Sequence, residues 1–141
     1  MNTWRDEVWR FGVVGALGFL VDAAVLSWLV QGQGWGPVEG RGVSFALAVT
    51  TTWALNRRFT FAARAGADRS REYRRYLAVQ TIGALINLGV YLAAIAAVPW
   101  VAAWPVLPLA AGAGVAMVFN FVGSRHLAFT GRASALTHEQ G

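Results

Sequence analysis

The chain has 141 residues, 56% of them hydrophobic and 13% charged, and its mean hydropathy is +0.45. It contains no cysteine, which excludes disulfides, thiol catalysis and thiolate metal sites. The net charge is +5 and every basic residue is arginine, but the arginines lie at the ends of apolar segments, so anionic lipid is the expected partner and nucleic acid is not.

Four apolar segments follow one another. The first covers about residues 11–30, long enough for the ~20 residues of a bilayer crossing. Asp22 interrupts its core and no small-residue cleavage site follows, so a cleaved signal peptide is not expected. The second segment reaches crossing length, about 42–61, only by running through Arg57 and Arg58 into Phe59-Thr60-Phe61. An arginine-rich loop, 62–75, leads to the third segment, about 75–98. The fourth, about 106–129, passes Arg125 and His126 to end at Leu127-Ala128-Phe129. The loops on the other side are Gly-rich (31–40) and Pro- and Trp-rich (99–108).

Arginines set the orientation. They crowd the N-terminal tail, the middle loop and the C-terminal end, whereas the opposite side has only Arg41. The positive-inside rule therefore places both termini and the middle loop in the cytoplasm. Trp4 and Trp9 mark the inner interface; Trp28, Trp35, Trp100 and Trp104 mark the outer one. The expected fold is all-α: one transmembrane domain over 1–141, with four helices arranged as two parallel-repeated hairpins.

The repeat is written in the residues. Arg10-Phe11, Gly18 and Asp22 recur sixty-five positions later as Arg75-Tyr76, Gly83 and Asn87. Ser44, Ala48, Thr52 and Asn56-Arg57 recur sixty-eight positions later as Gly112, Ala116, Asn120 and Ser124-Arg125, and the two units end in Phe61 and Phe129. Such a duplicated unit predicts a site where the two copies meet.

Small and polar residues form stripes. Gly15, Gly18 and Asp22 share one helical face, as do Gln80, Gly83 and Asn87. Small residues let membrane helices approach closely, and Thr52, Asn87 and Asn120 can hydrogen-bond across the contact. Two readings stay open for these residues, structural glue and a functional polar core. Asp22 is the only acidic residue within a span. A charged carboxylate at the bilayer centre costs ~2.5–3.5 kcal/mol even on the lenient insertion scale. It is therefore expected to face the bundle, protonated or paired, as glue or as a coupling group.

Arg57 and Arg125 form a second constellation. Each follows a polar residue, Asn56 or Ser124, at the inner end of an even-numbered helix. Guanidinium suits bidentate capture of phosphate, and Asn56, Ser124 and Asn120 can add hydrogen bonds. An anion is the expected partner, since Asp22 lies toward the outer side. Membrane-end anchoring is the alternative. The two histidines have no carboxylate cluster beside them, so neither a metal centre nor another cofactor is expected.

At these residues the chain resembles the GtrA-like family of small four-helix membrane proteins. The resemblance covers Arg10 to Phe129. It rests on Arg10-Phe11-x-x-x-Gly15-x-x-Gly18-x-x-x-Asp22 and on Asn56-Arg57-Arg58-Phe59-Thr60-Phe61. At the end of the fourth helix, Ser124 and Leu127-Ala128 depart from the family's usual pattern. The resemblance implies movement of a polyprenyl-phosphate-linked monosaccharide across a bacterial inner membrane for envelope polysaccharide synthesis. It also implies a glycosyltransferase as a possible partner, and leaves a parallel homo-oligomer open. An alternative is a non-transporting anchor for that transferase. The chain is not expected to be an enzyme, because it has no Asp-x-Asp sugar-nucleotide motif. A small multidrug resistance-type exporter is disfavoured, since dual-topology dimers need nearly balanced arginine counts.

The charge distribution makes a direct prediction. Reporter fusions at Gly34 and Trp104 should read periplasmic and one at Asp68 cytoplasmic. A cytoplasmic signal at Gly34 would contradict the orientation.

Overall fold

A computed structural model describes residues 3–104 and 106–131, so Arg132 and His138 lie outside the described residues. These residues are helices and short turns, with no strand among them. The chain divides into two compact units, each a helical hairpin. One holds the residues up to Ala67, with Gly131 joining it, and the other is Asp68–Thr130.

In the first unit, α1 (Trp4–Ser27) starts before the apolar run does. Thr3 explains this. Its hydroxyl accepts from the Asp6 N–H at 3.3 Å, and the Asp6 carboxylate accepts from the Thr3 N–H at 3.3 Å. This capping box satisfies two otherwise orphaned backbone donors, and Asp6 and Glu7 suit the positive end of the helix. The helix runs on as a π-helical turn, Trp28–Gly32. The reversal then uses Gly34, whose φ of 71° favours glycine. Helix α2 (Pro37–Leu55) also begins earlier than its hydrophobic pattern. Pro37 takes the first turn, where a missing N–H costs nothing. Beyond Leu55 the chain makes a second π-helical turn, Asn56–Thr60, closed by Phe61 N–H donating to the Asn56 carbonyl at 2.7 Å.

In the second unit, α3 (Arg69–Ala97) is capped by Asp68, whose carboxylate accepts from the Arg71 N–H at 2.9 Å. The loop expected over 62–75 is therefore shorter, and Arg69, Arg71, Arg74 and Arg75 are helical. A local cap outweighs the polarity of this stretch, because the cap satisfies orphan backbone groups whatever the side chains face. A 3₁₀ turn at Pro99–Ala103 leads to α4 (Val106–Gly123). A π-helical turn, Ser124–Ala128, then ends the hairpin, with Phe129 N–H donating to the Ser124 carbonyl at 2.9 Å.

Among the described residues, three helices are long and apolar enough to cross a membrane: Trp4–Gly32, Arg69–Ala97 and Val106–Ala128. Helix α2 is less apolar, since it carries Glu39, Arg41 and the run Thr50-Thr51-Thr52. Its hydroxyls are masked internally. Thr50 and Thr51 donate to the carbonyls of Ala46 and Leu47 at 2.8 Å, and Thr52 to that of Val49 at 3.0 Å. Large apolar side chains cover the outside of both units. Trp9 is 74% exposed, Phe19 70% and Val118 66%. A water-soluble surface does not carry so much contiguous apolar area. The helices are those of a membrane protein.

The two hairpins make the same contacts with different residues. Phe11 packs on Phe61 with ring centroids 6.2 Å apart, and Tyr76 on Phe129 at 5.8 Å. Arg10 donates to the Phe59 carbonyl at 2.9 Å, and Arg75 to that of Leu127 at 3.4 Å. A side chain on Gly18 would collide with Thr52, and one on Gly83 with the Asn120 amide. Each contact repeats at the sixty-five and sixty-eight residue offsets of the sequence. Gly15, expected on the same stripe, is exposed with nothing within 4 Å, so the close approach in α1 centres on Gly18.

This geometry sets a stability test. Gly83→Ala should destabilise the protein by ~1–3 kcal/mol, the usual cost of overpacking a close contact. Gly89→Ala, at a position with open space, should be neutral or slightly stabilising, since it only lowers backbone entropy. Thermal unfolding in detergent reads both, and equal melting temperatures would contradict the contact.

Candidate functional site

Asp22 sits near the C-terminal end of α1. Its carboxylate pairs with the Arg41 guanidinium, which α2 brings across the hairpin turn. The Asp22 side chain is 17% exposed and that of Arg41 54%. The carboxylate thus has a counter-ion at hand, while its Oδ1 is buried with no protein hydrogen bond. Sequence reasoning did not find this partner. Arg41 stood out only as an exception to the charge bias, yet an arginine isolated on the sparse side is itself a signal that an acid is near. In the second unit the equivalent positions are Asn87 and Leu109, both uncharged. Asn87 lies instead against the backbone of Gly112, where any side chain would meet its carbonyl and amide oxygens.

Thr52 packs its methyl group on Gly18 and turns its hydroxyl back to its own helix. Ser44, fully buried, likewise donates to the Arg41 carbonyl at 3.2 Å. Apart from Asp22 Oδ1, the first seam is therefore satisfied from within. The second is not. Asn120 lies on Gly83 with its Oδ1 buried and without a protein partner. Gln80, one turn before Gly83, has a buried Nε2 in the same condition, and so does the hydroxyl of Ser124, which is 0% exposed. Asn120 and Ser124 are four apart, so they share a face of α4 and its terminal turn. The antiparallel pairing of α3 and α4 is fixed by Gly123 against Val79, at 2.8 Å for an added Cβ, and by Gly83 against Asn120. Together these residues make a polar seam leading toward the arginine-bearing end of the hairpin.

At that end Asn56 and Thr60 are each 1% exposed, and the Thr60 hydroxyl donates to Asn56 Oδ1 at 2.7 Å. Asn56 thus braces the π-helical turn. Arg57, half-buried, donates from Nη2 to the Gly66 carbonyl at 2.8 Å, so its guanidinium has protein hydrogen bonding and does not depend on an anion alone. Arg125, also half-buried, places Nη1 3.3 Å from the His126 ring nitrogen Nε2. Each π-helical turn begins at the buried polar residue, Asn56 or Ser124, and the arginine follows as its second residue. Such turns recur at functional sites because they widen the helix and free a carbonyl.

Two carboxylates escaped the sequence reading. Glu7 and Glu72 are 7% and 4% exposed. They occupy equivalent places, in Glu7-x-x-Arg10-Phe11 and Glu72-x-x-Arg75-Tyr76. Glu7 lies 3.8 Å from Arg64. The repeat extended one helical turn toward the N-terminus would have revealed them. Among the described residues no cluster of His, Asp or Glu is placed to hold a metal ion.

The transmembrane-domain profile of the GtrA/DPMS family matches residues 10–129. The chain belongs to this family. The matched region starts at Arg10, the first residue of the repeated contacts, and closes at Phe129, the last. Comparison with curated proteins found no match. Membership in the GtrA/DPMS family makes this a membrane protein and connects it with polyprenyl-phosphate sugar metabolism.

Proposed function

We propose that this GtrA/DPMS-family protein moves a polyprenyl-phosphate-linked monosaccharide between the leaflets of a bacterial inner membrane, for envelope polysaccharide synthesis. In this reading all four helices cross, α2 included, with both termini in the cytoplasm. The hydroxyls of Thr50 and Thr51, bonded to their own helix, lower the cost of placing α2 in lipid.

The observation that carries the reading is the unsatisfied seam of the second unit. Gln80 Nε2, Asn120 Oδ1 and the Ser124 hydroxyl are buried without protein partners. Each such group costs ~1–3 kcal/mol while unpaired. A sugar offers both donors and acceptors, and supplies them only while it passes. A purely structural seam would be filled as the contact of Gly18 with Thr52 is, by a methyl group, with the hydroxyl turned back on its own helix. This asymmetry favours transport over a passive anchor for a glycosyltransferase, which has no use for open polar groups. Arg57 and Arg125, with Asn56 and Ser124 beside them, are the proposed phosphate contacts at the inner ends of their hairpins. Asp22 is the proposed coupling group, held ready by Arg41. We place the glycosyl transfer itself on a separate enzyme.

The test is reconstitution in vesicles with candidate polyprenyl-phosphate sugars and a measurement of leaflet exchange. Wild type should accelerate exchange of at least one of them. Arg57→Lys keeps the charge but loses the planar fork, and should slow exchange about tenfold, one charge-assisted hydrogen bond's worth. Arg69→Lys, on the exposed start of α3, should leave the rate unchanged. Protein-independent exchange for every candidate would overturn the proposal.

A further inference from the structure

Two grooves lie on the surface of the second unit. One, of ≈ 370 Å³, runs between α3 and the end of α4 and is floored by Val79, Ile82 and Phe119, with Arg75, His126 and Thr130 at its mouth. The other, of ≈ 700 Å³, follows α4 along Val115, Val118 and Val122 up to His126 and Leu127. Phe119, His126 and Leu127 belong to both, so they form a ridge with an apolar channel on either side.

The mouth is built to receive an anion. Arg75 uses Nη1 for two long contacts, 3.4 Å to the Leu127 carbonyl and 3.3 Å to the Thr130 hydroxyl. Among the described residues its Nε and Nη2 make no hydrogen bond or ion pair, which leaves one edge of the guanidinium open. That edge is the one that binds phosphate oxygens in a bidentate fork. Next to it the His126 ring touches the Arg125 guanidinium. Arg75 and the exposed His126 thus line one mouth, with Arg125 touching the imidazole, in a membrane protein whose grooves below are lined by valine, isoleucine and phenylalanine.

We propose that this ridge seats one anionic glycerophospholipid. Its phosphate sits on Arg75, with His126 and Thr130 as neighbours, and its two chains descend one on each side of Phe119 and Leu127. The pair of channels selects a lipid with two chains over one with a single chain. The cationic mouth selects a net negative headgroup over a zwitterionic one. The lipid is a resident structural ligand of the second hairpin, distinct from the transported molecule, and stays in place while that molecule passes. In the first unit the equivalents of His126 and Thr130 are Arg58 and Ala62. Its Arg10 makes the shorter 2.9 Å carbonyl bond. The seat belongs to the second unit.

Native mass spectrometry of the purified full chain, titrated with defined lipids, tests this. Phosphatidylglycerol should bind about tenfold more tightly than phosphatidylcholine of the same chains, and more tightly than single-chain lysophosphatidylglycerol. Arg75→Gln should abolish the preference for phosphatidylglycerol, whereas Arg74→Gln, one residue away and exposed, should keep it. Val122→Trp fills the larger channel. It should weaken phosphatidylglycerol several-fold and spare the lyso form, a pattern that general misfolding would not give. Equal affinity of wild type and Arg75→Gln for phosphatidylglycerol would overturn the proposal. So would displacement of phosphatidylglycerol by equimolar farnesyl phosphate, which would assign the mouth to a single-chain prenyl lipid. Neither result bears on whether the protein moves a lipid-linked sugar.

Discussion

Each hairpin depends on one close approach, a glycine of the first helix received by a polar residue of the second. In membrane surroundings the hydrophobic effect does not drive helices together, so contact rests on packing and on hydrogen bonds. Gly18 under Thr52 and Gly83 under Asn120 supply the packing by bringing backbones together where a methyl group would not fit. The aromatic pairs Phe11–Phe61 and Tyr76–Phe129, with the arginine-to-carbonyl bonds beside them, close the same end of each hairpin. Between these two fixed points the helices have no freedom of register. The polar residues at Gln80, Asn120 and Ser124 are consequently held at set depths, whether or not a ligand meets them.

The two copies diverge at the polar residues of their seams. The first has Thr52, whose methyl fills the contact and whose hydroxyl is spent on Val49. The second has Asn120, too polar for the place it fills, with its oxygen unpaired. Opposite choices hold at the connecting-turn end, where the first hairpin keeps an ion pair and the second has Asn87 and Leu109. A duplicated unit needs its scaffold contacts in both copies but its chemistry in only one. That division matches, among the described residues, one open oxygen in the first unit, Asp22 Oδ1, against three open polar groups in the second.

Much of this was legible in the residues. The offsets that align Arg10 with Arg75 and Phe61 with Phe129 mark contacts, because residues that close a hairpin must recur together. Gly18 and Gly83 were legible for the same reason, although Gly15 shared their periodicity without sharing their contact. The helix starts were hidden from a hydrophobic reading, since Thr3 and Asp68 act through backbone donors rather than through burial. The π-helical turns at Asn56 and Ser124 have no compositional signature, as they arise from how the last turn fits its hairpin. The partner of Asp22 was hidden by distance along the chain, with nineteen residues and a turn before Arg41. The open oxygen of Asn120 was beyond reach, because a sequence tells that an amide is present and not whether it is satisfied.

The central claim is that the second seam is open for a ligand rather than closed for stability, and Asn120→Leu tests it most directly. Leucine has the same branching and the same number of side-chain heavy atoms, and it removes a buried oxygen that has no protein partner. Replacing an unsatisfied polar group by an apolar one of similar shape is neutral or stabilising. The melting temperature should therefore hold or rise while leaflet exchange of the lipid-linked sugar falls at least tenfold. A fall in melting temperature with exchange intact would contradict the account and make Asn120 a structural hydrogen-bonding residue.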